Sequence, residues 1–202
     1  MKYKFPFRRR AITAIVASVF ILGACGGQGS ESADSAPASS EQSLKIVSLS
    51  PTATEMLYAI GAGDQVVAVD SLSTYPAEVA PKVTKISAYE PSAEAILAYE
   101  PDVVLISNDM NKITEQLTSA NPDIKVWTGA AAASLDDVYA QINELGALTG
   151  RVDSAEKVVS SMKARINAVI PKSGWGIVYP VYYELDNTFY SVTSNTFVGS
   201  LL

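Results

Sequence analysis

The chain holds one cysteine, Cys25, and no histidine. Those two facts bound its chemistry. Without an imidazole there is no histidine acid–base catalysis, no Ser-His-Asp triad and no His-ligated zinc. Without a second cysteine there is no intrachain disulfide. Ser48 and Ser50 therefore have no histidine partner to activate them as nucleophiles. Gly61-Ala62-Gly63 follows a helical stripe instead of joining a strand to a helix, so it reads as a helix stop and not as a phosphate loop. What remains is one thiol, and tyrosine and tryptophan rings able to stack on a flat ligand.

The thiol has a telling context. Arg8, Arg9 and Arg10 precede an almost entirely apolar run from Ala11 to Leu22, and Leu22-Gly23-Ala24-Cys25 closes it. A basic start, an apolar middle and small residues at the cut are the parts of an export signal. The run falls short of the roughly 20 apolar residues that span a bilayer. With cysteine at the cleavage point, the segment resembles a bacterial lipoprotein signal, in which the thiol receives a diacylglyceryl group and becomes the new N-terminus. Residues 26–43 are rich in Ser, Ala, Gly and acids and lack apolar periodicity, so they read as a flexible tether. Residues 1–24 are thus expected to be a signal peptide and 25–43 a leash to the membrane. Five of the 15 basic residues and none of the 21 acids precede Cys25, which leaves a net charge of −11. Such a chain offers no basic face to nucleic acid.

The elements behind the chemistry read in two blocks. Lys45–Leu49 is a buried strand by its apolar run. Ser50-Pro51 supplies an N-cap and a proline at the first helical position, and Met56, Leu57 and Ile60 form a stripe ended by Gly61 and Gly63. Val66–Val69, Val83–Ile86, Val103–Ile106 and Lys125–Trp127 read as further strands, with helices capped by Ser92 and carrying Ile113–Leu117 between them. That alternation predicts an α/β fold with a parallel sheet, over 44–133. From Ser134 to about Ile170 apolar residues recur at helical spacing, with a kink or break at Thr149-Gly150. Strand character returns in Gly176–Leu185, and Thr196–Leu202 starts another helix.

Together these residues resemble a known family. Lys45-Ile-Val-Ser-Leu-Ser-Pro51, Thr54-Glu55-Met-Leu57, Ile60-Gly-Ala-Gly63, Tyr75-Pro76, Ser92-Ala-Glu94-Ala-Ile96-Leu97, Pro101-Asp-Val-Val-Leu105 and Val181-Tyr-Tyr-Glu184 are similar, in order and spacing, to the periplasmic binding proteins for cobalamin, ferric siderophores and haem. The resemblance implies an N-terminal lobe at 44–133, a helical backbone connector at 134–171 and the start of a second α/β lobe at 172–202. It implies no enzyme, no cofactor and no resident metal. It implies a membrane-anchored monomer that binds an iron(III)-siderophore, haem or corrinoid ligand between two lobes and delivers it to the permease of an ABC importer. The short second lobe makes a truncated or incomplete chain the expectation. A flavodoxin-like enzyme and an adhesion or structural lipoprotein are the competing classes.

Ligands of open α/β sheets sit beyond the carboxyl ends of the strands. Those ends are Ser48–Pro51, Asp70–Tyr75, Ser87–Glu90, Ser107–Met110 and Trp127–Ala130. The candidate ligand-binding residues are Ser50, Tyr75, Tyr89, Ser107, Asn108 and Trp127, joined by Tyr190 and Asn195 from the second-lobe loop. The resemblance places an aromatic that packs on the corrin at Tyr89. It places a second aromatic at Ser107, where this chain departs from the cobalamin binders. It also makes Glu94 the residue that meets arginines of the permease. Only Arg151 and Arg165 remain as arginines beyond Cys25, both in the helical part.

Overall fold

A computed structural model describes residues 43–169, 180–184, 186–188 and 190–202. The signal, Cys25 and nearly all of the tether lie outside the described residues, as does much of the expected strand at Gly176–Leu185.

Four short strands form one parallel sheet: β1 (Ile46–Leu49), β2 (Val66–Val69), β3 (Val103–Ile106) and β4 (Lys125–Thr128), in the order β2-β1-β3-β4. The register pairs Ile46 with Val66 and Val103, and Leu105 with Trp127. Because side chains alternate across a strand, the sheet feeds two cores. Ile46, Val66, Val69, Val103 and Leu105 pack with α1 (Pro51–Ala59), α4 (Leu135–Thr149) and α5 (Val152–Val169). Val47, Leu49, Ala68, Val104 and Ile106 pack with α2 (Ala93–Leu97) and α3 (Ile113–Ala120). Strands covered on both faces read as continuous apolar runs, which is why β1 and β3 were legible.

The helix starts follow capping chemistry. Ser50 Oγ accepts from the Ala53 amide at 3.3 Å and Ser92 Oγ from the Ala95 amide at 3.3 Å. Ser134 and Asp137 form a reciprocal capping box on α4. The Ser134 hydroxyl, then the Ala133 amide, hold the Asp137 carboxyl below its ordinary range.

One expectation needs correction. Val83–Ile86 does not form a strand. Only Val83 pairs, through an isolated bridge to Val69. The Thr84 amide and hydroxyl both donate to the Val69 carbonyl, at 3.0 and 2.7 Å, and the hydroxyl accepts from the Ile86 amide at 3.0 Å, so the segment turns away after one bridge. Of the kink or break expected in the helical stretch from Ser134, the structure has the break. Gly150 caps α4 in the left-handed region at φ 70°, and α5 doubles back. The two helices touch so closely that a Cβ on Gly146 would lie 2.5 Å from the Ala155 Cβ. Near the other end of the pair, the Lys163 ammonium lies 4.7 Å from the Tyr139 ring centre.

Residues 180–202 carry α6 (Phe197–Leu201), capped by Thr196 as its sequence suggests, and an antiparallel bridge between Glu184 and Ser191. Tyr182 and Tyr183 are both exposed.

Candidate functional site

The chain leaves β1 for β2 on one side and returns through α2 to β3 on the other, so the strand order reverses beside β1. The helix after β1 covers one face and the helix after β3 the other. A crevice opens at such a point, beyond the carboxyl ends of the strands.

Its floor is a set of buried hydroxyls. Ser107 Oγ donates to Ser50 Oγ at 2.8 Å, directly across the crevice between β1 and β3. Thr54 Oγ1 donates to Ser48 Oγ at 2.9 Å and lies 3.2 Å from Ser73 Oγ. Ser48 Oγ reaches the Ser50 carbonyl at 3.2 Å. The Asp70 carboxylate accepts from the Ser73 amide at 2.9 Å through Oδ1, and its Oδ2 has no partner. Ser48, Ser50, Thr54, Asp70 and Ser73 are all buried. The Thr54 and Ser50 bonds tie three segments of the carboxyl edge to the start of α1, so the edge is preorganised.

Two hollows adjoin this floor, and a third runs along α1. One, of about 120 Å³, is lined by Asp70, Leu72, Tyr89, Ser107, Asn108 and Met110. Its neighbour, of about 280 Å³, is lined by Ser50, Ser107, Asn108, Trp127, Gly129 and Gln141. The third is an open groove of about 950 Å³ along α1, bordered by Tyr75, Tyr58, Met56, Ile142, Val158 and Met162. Burial, then the Glu78 carboxylate, push the Tyr58 hydroxyl above its ordinary range, so it stays neutral there.

The structure thus brings Tyr89, Ser107 and Asn108 together, and Ser50, Ser107, Asn108 and Trp127 together. Tyr75, after which the peptide to Pro76 is cis, borders a different hollow from Tyr89. Both tyrosines are exposed. Ser50 is buried, with its hydroxyl engaged as a cap and with Ser107. Trp127 is half-buried: its indole N–H donates to Glu144 at 3.1 Å, and its ring lies where a Cβ on residue 129 would be. Tyr190 and Asn195 are exposed in the 180–202 segment and line none of the three hollows. Glu94 is exposed in the first turn of α2. Among the described residues, no hydrogen bond or ion pair engages its carboxylate. Sequence reading missed Asp70, Thr54 and Ser73 as site residues. The acid directly after the apolar Val66–Val69 run, three residues before a serine, was the available signal.

Residues 46–202 match the family described as periplasmic binding protein. The chain belongs to this family. A substrate-binding lipoprotein of an ABC transporter from Bacillus subtilis is 33% identical over 167 residues, covering 78% of this chain and 52% of the relative. A cobalamin-binding protein of Halobacterium salinarum is 32% identical, with 78% and 43% covered. Among solved structures, a possible iron-binding (periplasmic solute-binding) protein from Staphylococcus epidermidis superposes with a TM-score of 0.64 at 26% identity, covering 77% of this chain and 62% of that one. The periplasmic haem-binding protein of Vibrio cholerae superposes at 0.57 with 27% identity, covering 64% and 51%. The chain spans about half the length of the curated relatives it matches. As a periplasmic binding protein it falls in a family of solute binders.

Proposed function

We propose that this periplasmic binding protein is the solute receptor of an ABC importer, held to the membrane by lipid on Cys25, that captures an iron(III)-siderophore, haem or cobalamin-type ligand and hands it to the permease as a monomer. The observation that carries the reading is the preorganised crevice at the carboxyl edge of the sheet, in a chain matching the family over 46–202. Tyr75, Tyr89, Asn108 and Trp127 supply rings and an amide on that side, and Ser107 its polar floor. Tyr190 and Asn195 face the ligand from the second lobe at 172–202. Residues 1–24 are the export signal and 25–43 the tether. Between the lobes, 134–171 is the helical connector, in which α4 completes the first lobe and α5 leads onward. The exposed, unengaged Glu94 docks the permease.

The rival classes draw less support. Ser48 and Ser50 are buried with their hydroxyls bonded to other hydroxyls, and the chain has no histidine to activate them. An adhesin needs no such crevice.

Intrinsic tryptophan fluorescence or thermal shift with cobalamin, haemin and ferric siderophores should show a saturable response to one of them. No response to any would remove the receptor reading. Glu94→Arg should leave that affinity unchanged and abolish uptake in cells; uptake that persists would remove the docking role. Cys25→Ala should release the protein from the membrane fraction.

A further inference from the structure

The crevice carries a charge signature that discriminates among those ligands. Asp70 is fully buried, and its Oδ1 is engaged by the Ser73 amide. Among the described residues its Oδ2 has no partner, although buried carboxylate oxygens are ordinarily hydrogen-bonded. Asp70 lines the 120 Å³ cavity, whose other walls include the exposed apolar side chains Leu72, Tyr89 and Met110. A water molecule's share of liquid volume is about 30 Å³, so the cavity admits an amide or ammonium group in place of a few waters. The five loops of the carboxyl edge hold three carboxylates, Asp70, Glu90 and Asp109, and no lysine or arginine. Arg151 is engaged with Asp64 at the opposite end of the sheet.

We propose that the Asp70 cavity receives an N–H-bearing edge group of the ligand and rejects carboxylates, so that the receptor takes uncharged or cationic chelates over anionic ones. This rests on the receptor reading above. An N–H donor would complete the hydrogen bonding of Oδ2, and a bond to a charged acceptor is stronger than a neutral one. A ligand carboxylate would instead meet like charge in a poorly screened pocket. Ser107, a small half-buried side chain on the cavity wall, leaves room for the edge group. Two sources present the required chemistry: the primary amides around a corrin ring, and the amide and ammonium groups of a ferric hydroxamate. Haem instead presents propionate carboxylates at its edge, and a ferric triscatecholate, though its arms carry amides, is an anion as a whole.

The test uses the full chain, purified in detergent, titrated with cobalamin, ferrioxamine B, haemin and a ferric triscatecholate. Cobalamin or ferrioxamine B should bind at least tenfold more tightly than either anionic chelate, and whichever binds identifies the source. Asp70→Asn keeps an acceptor for the Ser73 amide and removes the charge. It should weaken the preferred ligand by about tenfold or more and narrow the gap to haemin. The wild-type comparison of the four probes stands even if the variant proves unstable. Haemin or the triscatecholate binding as tightly as the others, or unchanged affinity in Asp70→Asn, overturns the Asp70 assignment and leaves the receptor reading intact. Failure of all four to bind overturns both.

Discussion

The two ends of the sheet treat their charges differently. At the amino end carboxylates are paired: Glu100 with Lys45 at 2.9 Å, and Asp64 with Arg151 at 3.2 Å, beside a Gln65 side chain that donates to the Thr149 carbonyl at 3.0 Å, although Gln65 Oε1 and Arg151 Nε are themselves buried without a partner among the described residues. At the carboxyl end a buried carboxylate oxygen goes without a partner, and hydroxyls knit the loops together. The amino end fastens the α4–α5 turn to the lobe. The carboxyl end holds an unmet hydrogen-bonding demand at a crevice. Stability is therefore concentrated at one end and recognition at the other, and substitutions at the two ends should separate them.

The largest effect belongs to the hairpin. Gly146→Val drives a side chain into Ala155, and overpacking of this kind costs about 3 kcal/mol. Denaturant unfolding should show that loss, while ligand affinity of the folded fraction stays unchanged. A matching fall in affinity would break the separation of the two ends.

Next comes Thr54→Val at the carboxyl end. It leaves Ser48 and Ser73 short of a buried partner, a cost of roughly 1–2 kcal/mol. Here affinity should fall along with the melting temperature, because the loops of the crevice lose a tie.

Ser134→Ala removes a cap worth about 1 kcal/mol, with no change in binding. The same cap has a pH signature. The folded Asp137 carboxyl titrates below its unfolded value, so its contribution is complete above the unfolded value and is lost as pH falls through the folded one. Asp137→Asn should flatten that acid limb in melts recorded from about pH 5 downward.

The smallest effect is Asp64→Asn, which removes an exposed ion pair worth under about 1 kcal/mol, and the difference should shrink in high salt.

The fold was readable where local chemistry decides it. Ser50, Ser92, Ser134 and Thr196 each start the helix their side chains cap, and β1 and β3 betray double burial by apolar runs, interrupted only at Ser48. Val83–Ile86 misled because the Thr84 hydroxyl takes the Ile86 amide and turns the segment away after a single bridge. The site was readable only as an edge. Asp70 and Ser73 form a local turn, but its burial depends on Thr54, and the Ser50–Ser107 bond joins residues 57 positions apart. Partners so distant in sequence leave no periodic mark. Tyr75 and Tyr89 look equivalent in sequence, yet the chain between them turns through a short 3₁₀ segment, Ala77–Lys82, and they border different hollows.

The Ser107–Ser50 bond has a kinetic corollary. Loops already clasped across the crevice have little freedom left to surrender on capture, so each productive encounter proceeds without waiting for the floor to order. Chelates of similar size and charge should then arrive at similar rates. The receptor would sort them by residence time, keeping some long enough for transfer and letting others go.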